Sequence, residues 1–348
     1  MKTYSYITSV ADVFLKNEIG VNSRHSPCCL AATLALSLAL LSSFSFAQQP
    51  TYPTRPIRII VGFLPGSSND TLARFVGIKL GERLSQQIVV DNRPGANGII
   101  GGDLTAKANA DGHTLLLMSV SHAMSAAVYS KLPYDPVKSF TPIAMLGTGP
   151  LVLVAHPSFA ASGVRELIDL AKAKPNTLTY SSAGTGGINH FGGALFARTA
   201  GVQLIHVPYK GGAPALTDVM AGQITMMWGT MPLSLTQIRA GKVKALGITS
   251  TKRSSLLSAV PTIAESGAPG YEIATWWGIL APAGVPAPIV SKLNTEIGGI
   301  ITQPDSAQRL AAEGAEPWPL SSEAYAKVIQ SEIEKWTRVA REAGIRAE

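Results

Sequence analysis

Gly62-Phe63-Leu64-Pro65-Gly66-Ser67-Ser68-Asn69-Asp70, GFLPGSSND, is the stretch whose reading decides the fold. Before it, Ile57-Arg58-Ile59-Ile60-Val61 is an apolar, β-branched run after Pro56 that predicts a buried strand over 57–63. After it, Leu72, Phe75, Val76, Lys79, Leu80 and Leu84 recur at three- and four-residue spacing, which predicts an amphipathic helix over 70–85. The stretch is a strand-to-helix turn in which Ser67, Ser68, Asn69 and Asp70 are all competent N-caps. Unpaired N–H groups and the positive end of a helix dipole converge at such a turn, which suits an anion. A plain capped turn reads the same way, so the deciding question is whether the chain holds a second stretch of this kind.

With 348 residues, 46% hydrophobic and 15% charged, the chain is long enough for two globular domains and is not of disordered composition. The net charge of +7 is scattered. No Lys/Arg run and no aromatic-interleaved basic stripe marks a nucleic-acid surface. Residues 28–47, CCLAATLALSLALLSSFSFA, follow Arg24 and His25 and end in the small-x-small pattern Ser45-Phe46-Ala47. That layout predicts a secretory signal peptide over 1–47, cleaved after Ala47 and implying residence in the periplasm. Its apolar core, Leu30 to Leu41, is short against the ~20 residues of a membrane span. Cys28 and Cys29 both lie in this segment, so its removal leaves neither a disulfide framework nor a Cys metal site.

From Pro56 onward strand and helix patterns alternate, which implies βαβ units and parallel sheets with helices on both faces. Two proline-rich stretches, 130–150 and 258–290, read as crossings between domains. The chain then ends in helices that need a sheet to pack on. The expected arrangement is an α/β protein of two doubly wound lobes around a hinged cleft: 50–150 with 280–348 in one lobe, 151–279 in the other.

The second stretch exists. SSAGTGGINH, Ser181 to His190, follows a predicted strand and precedes the helical FGGALFARTAG. Ligands of open parallel sheets sit outside the carboxyl ends of strands, so two such turns, one per lobe, face each other across the cleft. A third turn is VPYKGGAPA, Val207 to Ala215, and a fourth follows Met118 with Ser119, Ser121 and His122. The first three turns hold almost no cation, only His190 and Lys210. Anion recognition would rest on backbone N–H groups, hydroxyls and helix termini, each worth about 0.3–1 kcal/mol near a surface and up to ~2 when partly buried.

The succession GFLPGSSND, RPGANGIIG, DGHTLLL, YDPVKSFTPI, SSAGTGGINH, VPYKGGAPALTDVMAG, VKALGITSTKRSSLL, VPTIAESGAPGYE and WWGILAPAGVP resembles the periplasmic solute-binding receptors of tripartite tricarboxylate transporters, the Bug family. The resemblance covers the chain after the signal segment, in order. It implies a type 2 periplasmic-binding-protein fold and delivery of a small carboxylate, or a related polar aromatic, to membrane permease subunits, with no cofactor and with the receptor a monomer. By the same resemblance, one contact loop maps to Pro65, Gly66, Ser67, Ser68, Asn69 and Asp70. A second maps to Ala183, Gly184, Thr185, Gly186, Gly187 and His190, with further contacts at Tyr209, Lys210 and Gly211. The first loop departs from the family pattern at Leu64, Ser67 and Asn69, where relatives have proline, glycine and a hydroxyl, and ligand preference is what these changes affect.

Asp70 in a first helical turn reads as a cap rather than a general base. His190 reads as a ligand contact or a second cap, since no nucleophile elbow accompanies it. Lys210 is either a counter-ion or a solvated lysine, and Trp276 and Trp277 either hinge core or cleft wall. Met226, Met227 and Trp228 read as core. Hydrolase, zincin, P-loop and dinucleotide motifs do not occur, and His113, His122, His156, His190 and His206 lack ligand-pair spacing. A periplasmic sensor and, further off, a secreted enzyme using His190 and Asp70 are the rival readings.

Overall fold

The computed structural model describes residues 52–312 and 314–346. The expected signal peptide lies outside the described residues.

Strand β1 (Ile57–Val61) leads through the GFLPGSSND turn into α1 (Ser68–Leu84) and then β2 (Ile88–Asn92). Helix α2 (Ile99–Ala106), strand β3 (Thr114–Ser119) and helix α3 (Ser121–Val128) follow. Strand β4 (Phe140–Ala155) carries the chain onward. The next elements are α4 (Val164–Ala173), β5 (Thr179–Ser182), α5 (Ile188–Ala200), β6 (Ile205–Pro208) and α6 (Gly212–Met220). Then come β7 (Met226–Thr230), α7 (Met231–Arg239) and β8 (Lys244–Ile248). Strand β9 (Ala274–Pro282), α8 (Ala287–Ile301), α9 (Pro304–Ala312), β10 (Glu316–Pro317) and α10 (Ser322–Ala343) complete the chain.

The strands lie in the order β2-β1-β3-β9-β4-β7-β5-β6, with β8 and β10 also pairing β4. β1, β2 and β3 are mutually parallel, as are β5, β6 and β7, but β9 and β4 run antiparallel to their neighbours. The stretch 130–150, expected to cross between domains, ends in strand β4. Phe140 to Pro150 pair with β9, and Leu151 to Ala155 continue the same strand between β7 and β8. The second stretch likewise contains β9. Pro142 adjoins one of two shifts in the β4–β9 register, between Pro142 and Ala144, where the ladder is locally interrupted; the other lies between Met145 and Gly147.

Period-2 alternation divides the core between the two faces of the sheet. Ile57, Ile59, Val61, Leu115 and Leu117 pack with Leu72, Val76 and Leu80 of α1 and Leu293 and Ile297 of α8. Ile60, Leu116 and Met118 join a cluster on the opposite face with Tyr325, Ile329 and Trp336 of α10 and with Phe191 and Trp228. A third cluster places Val152 and Val154 against Leu216 and Val219 of α6. Gly62 is required by close approach: a Cβ there would stand 2.6 Å from Gly98 Cα. That contact brings the Gly95–Gly98 turn alongside the first loop.

Candidate functional site

The first loop is built from beneath. Asp70, buried in the first turn of α1, accepts from the Gly66 N–H (2.9 Å) and from Asn92 Nδ2 (2.9 Å), which also donates to Phe63 O (3.0 Å). Arg74, one turn on, pairs with its carboxylate at 2.9 Å. Burial pushes the Asp70 carboxyl up, but the bonds from Arg74, Gly66 and Asn92 together outweigh it and hold it below the usual carboxylate range. Its charge is thus neutralised within the loop. Ser67, not Asp70, is the N-cap, accepting from the Asp70 N–H at 3.3 Å.

The second loop is held by two histidines. His190 Nδ1 accepts from the Gly186 N–H at 3.2 Å, and Gly186 sits at φ +76°, a conformation that glycine adopts without strain. The His190 ring stacks on His206 with centroids 3.7 Å apart, and His206 Nε2 lies 2.6 Å from Ser182 Oγ. Burial, with His206 alongside, pushes His190 down to about 3, and burial pushes His206 down to about 4, so both are neutral at ordinary pH.

A cavity of about 660 Å³ opens between the two loops. Five helices begin on it, as their first residues or N-caps in its lining show: Ser67, Ser68 and Asn69 at α1, Ser121 at α3, Gly187, Ile188 and Asn189 at α5, Gly212 and Ala213 at α6, and Thr230, Pro232 and Leu233 at α7. None of α3, α5, α6 and α7 has a side-chain N-cap bond, which leaves first-turn N–H groups for a ligand. Gly66, Ser119, Ala183, Thr71, Asn97 and Thr275 add polar and backbone surface, while Phe63, Val120, Met227 and Trp277 form apolar wall. The lining contains no ionisable side chain. Ser119 Oγ and Ser121 Oγ lie 3.0 Å apart, and the Asn69 side chain, 7% exposed, has a buried Oδ1 without a partner.

Of the residues expected from sequence, Gly66, Ser67, Ser68, Asn69, Ser119, Ser121, Ala183 and Gly187 come together here. Pro65 and Thr185 are exposed beside it, and Gly184 and Gly186 shape the second loop without lining the cavity. Asp70 and His190, also expected as contacts, lie outside the lining. Each carries a backbone bond inside its own loop, and His190 faces a separate groove with Tyr180 and His206. Tyr209 donates to Asp218 Oδ2 (2.5 Å), and Lys210 and Gly211 also lie outside the lining, Lys210 exposed as a solvated lysine. The third turn was expected, but its contact is Gly212 and Ala213 at the start of α6 rather than Tyr209 to Gly211, and the start of α7 was not expected. Pro232 at the second helical position after strand β7 is the same strand-turn-helix signal and would have found the latter. Trp277 is cleft wall, whereas Trp276, the next residue along β9, turns to the other face and meets Tyr325 edge-on at 5.8 Å. Met226 and Trp228 are core, but Met227 reaches the cavity. Among the described residues no cluster of three or more His, Cys, Asp or Glu could hold a metal ion.

Comparison with known proteins agrees with this geometry. Residues 72–345 match the model of the tripartite tricarboxylate transporter family receptor, TctC. The chain is 36% identical to the protein BugT of Bordetella pertussis, across 90% of this chain and 97% of that one. Among solved structures it is similar to Rpa4515 of R. palustris with adipate, at 36% identity and TM-score 0.78, covering 85% of this chain and 99% of that one. It is also similar to MatC of Rhodopseudomonas palustris with bound malate, at 32% identity and TM-score 0.73, covering 83% and 99%. The chain belongs to the tripartite tricarboxylate transporter receptor family, the TctC or Bug proteins, whose members are two-lobed solute-binding receptors and not enzymes.

Proposed function

We propose that this receptor captures a small carboxylate in the periplasm, as a monomer released from its signal peptide, and delivers it to a tripartite membrane permease. The observation that carries the reading is the convergence of five helix N-termini on a cavity that has no ionisable side chain. Adipate and malate in the two similar structures support the ligand class. The binding residues in this reading are those of the lining, and the lobes are residues 50–150 with 280–348 and residues 151–279, hinged at β4 and β9. Without a cationic side chain, affinity depends on the lobes closing to exclude water, since neutral hydrogen bonds give only ~0.5–1.5 kcal/mol each. Among the described residues no helix is long and apolar enough to cross a membrane.

A thermal-shift screen over dicarboxylates, tricarboxylates, amino acids and aromatic acids tests the reading. A true ligand at a hundredfold excess over Kd stabilises by ~2.7 kcal/mol. A screen in which only neutral compounds raise the transition overturns it.

A further inference from the structure

The stacked histidines sit behind the cavity rather than in it, yet both bond the loop whose ends line it. Ser182 Oγ, 2.6 Å from His206 Nε2, also accepts from the Gly184 N–H (3.1 Å) and donates to Gly184 O (3.0 Å). Gly186 N–H is buried and donates to His190 Nδ1, and Gly187 N–H closes the turn on Gly184 O (3.2 Å). The two residues of this loop that line the cavity, Ala183 and Gly187, therefore flank Gly186, which His190 holds directly, and Gly184, which His206 reaches through Ser182.

We propose that His190 and His206 are positioning residues for ligand capture: the neutral His190 imidazole, stacked on His206, holds Gly186 so that the N-terminus of α5 is aimed into the cavity. For Nδ1 to accept, the ring proton must sit on Nε2, and a second proton would set two N–H groups against each other. The groups around the pair are Tyr180, whose O–H donates to His190 O (3.4 Å), Phe191 and Arg198 on the same helix as His190, and Glu342, which pairs with Arg198 in the lining of that groove. Neither Arg198 nor Glu342 bonds either imidazole.

Two substitutions separate aiming from packing. His190→Phe keeps a ring to stack on His206 but removes the acceptor, while His190→Asn keeps an acceptor near the Nδ1 position and removes the ring. The expected result is that H190F weakens carboxylate binding by about tenfold, from a lost bond to a buried N–H, and speeds amide hydrogen exchange at 184–187. H190N, although less stable to heat, keeps both near wild type. Imidazole ¹⁵N shifts at pH 6 should show Nδ1 of His190 unprotonated. Affinity that tracks thermal stability rather than the acceptor, unchanged exchange in H190F, or a protonated Nδ1 each overturns the proposal. The effect on affinity rests on the receptor reading above, and the two fail separately. A wild-type protein that binds no carboxylate sinks that reading, while the exchange pattern still decides whether His190 holds the loop.

Discussion

Asp70 and the His190–His206 pair have opposite charge chemistry but the same consequence for acid stability. Above the ordinary histidine pKa of ~6.5 both histidines are neutral in the folded and unfolded chain. As pH falls from there, the unfolded chain takes up protons that the folded chain refuses, because burial depresses His206 to about 4 and His190 to about 3. Stability therefore declines from pH ~6.5 down to about 4 through His206 and to about 3 through His190. Asp70 acts lower: its folded carboxyl is held below the usual range, so its contribution is present above pH ~3.9 and is lost as pH falls below it. Thermal scans across pH should show a decline of several degrees in the upper window, and the double variant His190→Asn with His206→Gln should flatten that window alone. An undiminished slope in the double variant would assign the loss elsewhere. The same residues mark a limit of sequence reading. Both were expected at the ligand, because polar residues in a glycine turn could bond either a ligand or the turn itself. Only the fold shows that Asp70 bonds the Gly66 N–H and His190 the Gly186 N–H, one helical turn back in each case.

At the level of elements, β4 is the least expected feature. Its Pro142, Gly147, Gly149 and Pro150 resemble linker composition. A strand with bulges that carries these residues has no clean strand signal, whereas the continuous apolar runs of Ile57–Val61 and Thr114–Ser119 were legible because each is short and uninterrupted. The glycines of β4 have a packing cause. A Cβ at Gly149 would lie 2.3 Å from Gly314 O, and one at Gly147 would lie 2.7 Å from Glu316 O, so β10 and the turn before it press on β4. Gly149→Ala should therefore destabilise the protein by about 1–3 kcal/mol, the usual cost of overpacking, seen as a lowered denaturant midpoint. An unchanged midpoint would mean that β10 moves aside freely. The helices were read well, since α1, α8 and α10 each keep an apolar stripe. The start of α7 was less legible because Thr230, Pro232 and Leu233 carry no glycine turn or charged signature to read, and within the third turn Gly212 and Ala213 offer backbone where Tyr209 and Lys210 offer the more conspicuous side chains.

Across the whole molecule, the net charge of +7 lies outside the cavity lining. Recognition by dipoles and N–H groups in a recess should respond weakly to salt, whereas exposed charges are largely screened beyond ~8 Å at physiological ionic strength. Raising sodium chloride from ~0.02 to ~0.3 M should alter Kd by less than about threefold in calorimetry. A steep dependence would reveal cationic side chains acting on the ligand. The pairing of β3 with β9, Leu116 opposite Leu280, has a consequence in time rather than in space. About 160 residues of chain separate those partners. Synthesis or refolding that proceeds from the amino end leaves the leucine-rich edge of β3 bare until β9 arrives. Long-range pairing of this kind slows folding, and a bare apolar edge invites a second chain to dock in its place. A nascent receptor is thus most vulnerable to aggregation before its last quarter has been made, and a chain truncated before residue 274 could not shield that edge with its own β9.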